Sequence, residues 1–361
     1  MKKIELYTQL SRPFTLLPPL LGIISGAICA WGSVHNPDPD HRLTLSVVLT
    51  VALGSLCASF MNAASNAINQ ITDLEIDRVN KPGRPLVTGA LTLREGWLFT
   101  WVFYALALVP TWAVVVFPHT TLAAKIGAPL PWHETFYIYL AGMVFTLVYS
   151  VPSWGRTKAR GMWANWTIAI PRGCLLKVAG WAMVARIGHW EPWALGTIFM
   201  LFLVGAASTK DFADIKGDAA GGCKTLPILH GPKKAAWIIA PFFIFPWLLV
   251  PLFAHLPDPQ NPAHPILTGN QWALTGLGAL LTVWGCYTVY LILRDPDDLT
   301  RTENHPSWKQ MYLMMMAAQM WPPRRMSSAQ STSSTTATST LSAMGSSMRP
   351  SDDCCFHLRA R

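Results

Sequence analysis

The sequence predicts an all-α fold, a polytopic transmembrane helical bundle, on three observations. Charged residues make up only 13% of the 361, about half the usual share, while 51% are hydrophobic. Eight runs of predominantly apolar residues recur along the chain, each near the 17–25 residues that cross about 30 Å of hydrocarbon. The connections between the runs are by turns rich and poor in Lys and Arg, the asymmetry that membrane topology imposes.

The first run, residues 13–31, follows a basic start, Met1-Lys2-Lys3, and no small-residue cleavage pattern comes after it. It reads as a retained span and not a removed signal peptide. The second (43–64) leads into an acidic segment. The third and fourth cover 97–117 and 135–151. The fifth (161–185) carries Arg172 near its middle, beside Pro171, and the sixth (192–208) leads into a second acidic segment. The seventh and eighth cover 235–256 and 271–293. A ninth run starts at Met311 but stops near Trp321, too short to cross.

Residues 1–320 are therefore expected to form one transmembrane domain of eight clear spans plus a truncated ninth. Residues 321–361 form a tail, Ser/Thr-rich from Ser327 to Ser347, whose composition cannot bury a core and reads as disordered. A reading frame lost near Met320 is favoured over a natural cytoplasmic tail, because Trp321-Pro322-Pro323-Arg324-Arg325 cuts an apolar run short. A missing ninth helix would leave the bundle incompletely closed.

The N-terminus and the even-numbered connections hold 18 Lys and Arg, whereas the odd-numbered ones hold only Arg42, Lys125 and Arg186. The positive-inside rule places the N-terminus and the even connections in the cytoplasm. The net charge of +9 is then a topology signal, and no nucleic-acid partner is expected. The seven cysteines show no CxxC or Cys/His spacing and imply no disulfide framework.

Both acidic segments fall on this cytoplasmic side. In a chain with only 19 Asp and Glu, Asn69-x3-Asp73-x3-Asp77 and Asp211-x2-Asp214-x3-Asp218 each close an apolar run. The spacings i, i+4, i+8 and i, i+3, i+7 place each trio on one helical stripe, with Glu75 and Lys216 turned away. An ordinary solvated helix end is the bland reading. Carboxylates beside hydrocarbon are costly and mark function by default, and oxygen ligands on a shared stripe suit a hard cation such as Mg²⁺. Two such clusters at equivalent ends of two spans can hold two Mg²⁺ ions and grip a diphosphate between them.

Cations accompany the acids. Lys81 and Arg84 follow the first cluster, with Arg84 in a loop stiffened by Pro82 and Pro85. Arg156 and Lys158 stand in the fourth connection and can meet phosphate oxygens. Ordinary inside-loop charge competes with this reading for each of them. Arg172 lies at a depth where a charge must face a cavity or a partner. Lys177 can instead snorkel toward the far interface.

The segments 69–85 (NQITDLEIDRVNKPGRP) and 210–218 (KDFADIKGD), with 149–158 as a weaker third, resemble the UbiA-type superfamily of intramembrane prenyltransferases. The resemblance spans roughly residues 4 to 320. Lys224-Thr225-Leu226-Pro227-Ile228 after Gly217-Asp218 is similar to the homogentisate, chlorophyll and geranylgeranylglyceryl phosphate branches. Where the family often has two prolines in the fourth connection, this chain has Pro152-Ser153.

The resemblance implies helices around a central cavity. It implies Mg²⁺ held by Asn69, Asp73, Asp77, Asp211, Asp214 and Asp218, with Asp73, Asp77, Asp211 and Asp214 catalytic. Asn69, Lys81, Arg84, Arg156 and Lys158 become diphosphate contacts, joined by the cavity candidate Arg172. The implied partners are a prenyl diphosphate, an aromatic or polar-lipid acceptor and the bilayer, and the implied reaction is prenyl transfer through an allylic carbocation. The expected location is the plasma membrane of a prokaryote, with a cytoplasmic active-site mouth. A cation-coupled transporter is the rival reading, but it predicts acids inside spans. An inactive lipid-binding relative is the other.

Overall fold

The computed structural model describes residues 3–116, 121–302 and 305–319. The expected tail, the end of the ninth run and the last residue of the third run lie outside these. Fifteen α-helices carry the described chain, and β-type pairing within it is confined to two isolated bridges. They are α1 (Lys3–Ser11), α2 (Leu17–Gly32), α3 (Leu45–Thr72), α4 (Leu74–Asn80), α5 (Leu93–Leu108), α6 (Leu122–Ile126), α7 (Glu134–Ser150) and α8 (Met162–Ala169). The rest are α9 (Leu176–Trp181), α10 (Trp190–Ala206), α11 (Ile215–Ala220), α12 (Leu226–Ile239), α13 (Phe245–His255), α14 (Gln271–Arg294) and α15 (Pro306–Ala318). This is a multi-pass integral membrane protein.

Among the described residues, six stretches are long and apolar enough to cross a membrane: Pro13–Gly32, Leu45–Thr72, Leu93–Ala113, Trp190–Thr209, Leu226–His255 and Gln271–Arg294. The two remaining expected spans differ for identifiable reasons. Helix α7 has only 17 residues, about 26 Å of rise. The fifth run is interrupted by a π-helical turn, Ile170–Leu175, between α8 and α9. Pro171 sits in that turn, where its missing N–H removes a regular helical bond.

Local chemistry sets the helix starts. Thr44 caps α3 by accepting from the Val47 N–H (3.3 Å), and Thr92 with Glu95 forms a capping box on α5. In α12, Gly231 takes φ 75° ahead of Pro232, a kink within the Leu226–His255 stretch. Close helix packing uses small residues. A Cβ on Gly26 of α2 would run into the carbonyl of Lys177, and one on Gly180 of α9 into that of Ile23, so glycine lets these two backbones meet.

A stripe of amides on α3 fastens the N-terminal corner. Asn62 Nδ2 donates to the Thr15 carbonyl (2.8 Å), Asn66 Nδ2 to the Ser11 carbonyl (2.8 Å), and Gln70 Nε2 to the Leu10 carbonyl (2.9 Å). The i, i+4, i+8 spacing sets the three on one face of α3. Lys177 does not snorkel. It is 2% exposed, its Nζ donates to Ser25 Oγ (2.8 Å) and to Gln319 Oε1, and it stands 4.0 Å from the Phe199 ring centroid. Close packing of α2 on α9 and the arrival of α15 bury it before it can reach an interface.

Candidate active site

Both acidic trios are interrupted where the sequence predicts one continuous stripe. The first bends at Asp73, which ends α3 with φ −106° and ψ 17°. Backbone bonds from Asp73 N to the Asn69 carbonyl (2.9 Å) and from Asp77 N to the Asp73 carbonyl (2.8 Å) still carry the one-turn spacing across the bend. In the second trio, Asp211 lies in a turn and Asp214 opens α11, which contains Asp218. Asp214 N bonds to the Lys210 carbonyl and Asp218 N to the Asp214 carbonyl, so the pitch of a helix survives there too.

The fold brings the two trios together. Helices α4 and α11 pack so closely that a Cβ on Gly217 would collide with the Asn80 side chain. Lys81 then reaches from the first segment to Asp214 of the second (3.7 Å). The fourth connection joins them through a bridge between Arg160 and Lys224, in which Lys224 N donates to the Ala159 carbonyl (3.1 Å).

Each acid of the first trio already has a cation. Lys158 Nζ bonds to Asp73 Oδ1, with Arg156 Nη2 at 3.3 Å from the same oxygen. Arg84 Nη1 pairs with the buried Asp77. Arg156 adopts φ 42° after Gly155 at 111°, a left-handed turn that aims its side chain at the end of α3. Among the described residues its buried Nε finds no hydrogen-bond partner, a donor with capacity left for an anion.

Burial dominates the electrostatics of the site. Burial lifts the Asp211 carboxyl well above the usual range, with Asp218 and Asp214 adding to it. Burial and Asp214 push Asp218 up to about 6, against the pull of Lys158 and Lys81. Burial also raises Asp77 despite Arg84, and lowers Lys158 to about 8. Acids that resist ionisation in this way are stabilised by an added cation.

Among the described residues no three acidic, imidazole or thiol groups already stand at metal-ligand spacing. The donor set still fits Mg²⁺: every candidate ligand is an oxygen, and Mg²⁺ takes one or two carboxylates and fills its octahedron from phosphate and water. Asn69 Oδ1 already accepts from Ser150 Oγ (2.6 Å).

Beneath the acids a cavity opens between α2, α3, α7 and the π turn, enclosing about 700 Å³ counted out to its mouth. Asn62, Ser65, Asn69, Tyr149 and Arg172 give it one polar end, and Ala58, Ile138, Leu176 and Ala179 line it with hydrocarbon. Arg172 enters this cavity but not the acid cluster, since Nη2 donates to Asn62 Oδ1 (3.2 Å). Sequence reasoning missed Ser150, the amide stripe and Arg12. Arg12 stands in a left-handed turn (φ 54°) beneath that stripe, where burial and the nearby Arg84 and Arg172 lower its pKa. The repeat of amides at 62, 66 and 70, running into Asn69, was the available signal.

Residues 16–304 match the model of the UbiA prenyltransferase family. A digeranylgeranylglyceryl phosphate synthase of Thermococcus kodakarensis is 30% identical over 303 residues, covering 82% of this chain and 89% of its own. The chloroplastic chlorophyll synthase of Arabidopsis thaliana is 26% identical over 243 residues, covering 65% and 56%. Both names belong to the branches that the 224–228 segment resembles. A UbiA homolog from Archaeoglobus fulgidus, solved bound to GPP and Mg²⁺, superposes with TM-score 0.60 at 21% identity, covering 87% of this chain and 97% of that one.

Proposed function

The chain belongs to the UbiA prenyltransferase family, and from that premise we propose that it moves a prenyl group from a prenyl diphosphate to an aromatic or polar-lipid acceptor inside the membrane. The observation that carries this reading is the meeting of two acidic segments and their cations over one end of an apolar cavity. The relative from Archaeoglobus fulgidus, solved with GPP and Mg²⁺, supports the same donor class. The synthase from Thermococcus kodakarensis favours a polar lipid as acceptor over an aromatic one. The charge pattern supports a cytoplasmic mouth and N-terminus, in the plasma membrane of a prokaryote.

Asp73, Asp77, Asp211, Asp214 and Asp218 would hold Mg²⁺ with the substrate's diphosphate, and Asn69 would join them by giving up Ser150. When bound, Mg²⁺ supplies Lewis-acid charge that makes the diphosphate a better leaving group. Arg156, Lys158 and Arg84 leave their carboxylates and turn onto phosphate oxygens, and Lys81 follows from Asp214. Arg172 stays with the cavity and orients the reacting end of either substrate.

The allylic C1–O bond breaks with its electron pair going to the diphosphate. The apolar wall keeps water from the cation, and ring faces such as that of Tyr149 stabilise it. A carbon or hydroxyl oxygen of the acceptor bonds to C1 and releases its proton.

Membranes incubated with Mg²⁺, labelled prenyl diphosphates of several lengths and an acceptor panel test this, with products identified by mass. Asp73→Ala and Asp211→Ala are expected to abolish product while the protein stays folded. Full activity in both variants overturns the metal assignment. A protein that folds yet makes no product with any donor is the lipid-binding alternative.

A further inference from the structure

Arg172 stands apart from the other candidate cations. Lys81, Arg84, Arg156 and Lys158 all pair with carboxylates, and among the described residues Arg172 pairs with none. It is exposed in spite of its depth, because the surface it shows is cavity wall. A charge standing open and unpaired at this depth is costly until a ligand brings the opposite charge to it.

The fold builds this placement from two sides. Ile170–Leu175 winds as a π turn in which Leu176 N donates to the Pro171 carbonyl, and such turns recur at functional sites. A Cβ on Gly173 would run into the backbone of Met200, so the turn is seated hard against α10. From across the cavity, Asn62 fixes the guanidinium. Its Nδ2 donates to the Thr15 carbonyl (2.8 Å) and to Thr15 Oγ1 (3.2 Å), which leaves Oδ1 to accept from Arg172 Nη2 (3.2 Å). The other guanidinium nitrogens make no hydrogen bond among the described residues, and neither does the Tyr149 hydroxyl, which lines the same end.

Asn62 stands about two helical turns, about 10 Å, deeper than Asn69 on α3. A diphosphate held by the acid trios is therefore beyond the reach of Arg172, and its open fork faces whatever shares the cavity with the prenyl chain. Building on the prenyl-transfer reading, we propose that Arg172, positioned by Asn62, selects an acceptor that carries a carboxylate or phosphate and binds that group below the mouth. The planar fork matches either anion through two parallel hydrogen bonds. With the acceptor's anion held there and the diphosphate at the mouth, the reacting carbon or hydroxyl lies between them, beside the allylic C1. Asn62 acts through Arg172 and is a positioning residue.

The test gives the full-length protein in nanodiscs one labelled prenyl diphosphate and two matched pairs of acceptors. One pair is a hydroxybenzoate and its methyl ester, the other a glycerol monoether phosphate and the free glycerol monoether. Arg172→Gln should raise KM for the acid that is used about tenfold and erase its preference over the neutral partner, with KM for the donor unmoved. The two pairs tell carboxylate from phosphate. Arg172→Lys should restore part of the preference, and Asn62→Leu should weaken it but add nothing in the Arg172→Gln background. A rise in KM for the donor instead, or a preference that survives Arg172→Gln, overturns the proposal. If the unaltered protein prenylates no acceptor, the transfer reading fails on its own. Calorimetric titration of the same acids and neutral partners then decides the role of Arg172: binding of an acid about tenfold weaker in Arg172→Gln supports it, and equal binding overturns it.

Discussion

The two ends of this bundle both bury carboxylates, and they satisfy them in opposite ways. At the mouth, Asp73 and Asp77 are paired with Lys158, Arg156 and Arg84. At the far face, Glu191 is held by two hydroxyls and a backbone N–H. An acid held by mobile cations can exchange them for a metal and a diphosphate, because each partner carries its own charge to the incoming ligand. An acid held by neutral donors has nothing to exchange, and it works as a fastener. The mouth is arranged to be rearranged, the far face to stay.

The largest expected effect tests the mouth. Asp73→Ala or Asp211→Ala, or chelation of Mg²⁺ from the unaltered protein, should cut prenyl transfer at least a hundredfold, beyond what losing a mere supporting group costs in a metal site. Transfer rates with a radiolabelled donor check this, alongside an unchanged helical circular dichroism spectrum. If Asp73→Ala destabilised the protein more than it slowed turnover, the contrast with Glu191 would break.

Glu191→Ala should do the reverse. It removes the acceptor shared by Ser33 Oγ, Thr268 N and Thr268 Oγ1 in a buried place, at a cost of about 2–3 kcal/mol. Tm in detergent should fall by several degrees with kcat retained in the folded fraction. Lys158→Met should raise KM for the prenyl diphosphate about tenfold, the equivalent of 1.4 kcal/mol for one charge-assisted contact, while Tm barely moves. A Tm loss as large as that of Glu191→Ala would show that the mouth cations are structural.

The smallest effect belongs to the seam between the regions. Asn66→Leu removes the donor to the Ser11 carbonyl and should cost about 1 kcal/mol. Proteolysis of the N-terminal helix should quicken, with only a few-fold drop in transfer.

Much of the site was legible because it is local. Asp73, Asp77, Asp211, Asp214 and Asp218 announce themselves by one-turn spacing in an acid-poor chain, and the bends at Asp73 and Asp214 preserve that pitch through i, i+4 backbone bonds. What misled was continuity. Periodicity shows which residues share a stripe but not where the helix carrying them turns, so α4 and α11 emerge only from packing.

The fifth run failed as a regular span for a similar reason, since hydropathy is blind to a π turn at Pro171 and Arg172. His35, Glu191 and Asp258, which gather at the far face, gave no signal at all. They are far apart in sequence, and single polar residues in connections look like ordinary loop.

The sequence by itself determined the apolar helices, the alternation of charge between their connections, the acids and cations of the mouth and the family they resemble. Those properties are carried by composition and short-range spacing. Tertiary structure decided which cation pairs with which acid, that Lys81 links the two segments, that Arg172 serves the cavity, and that Lys177 is sealed inside. It also decided that three distant connections share one pocket. Such pairings depend on helices meeting in space, and a short-range pattern holds no information about which helices meet.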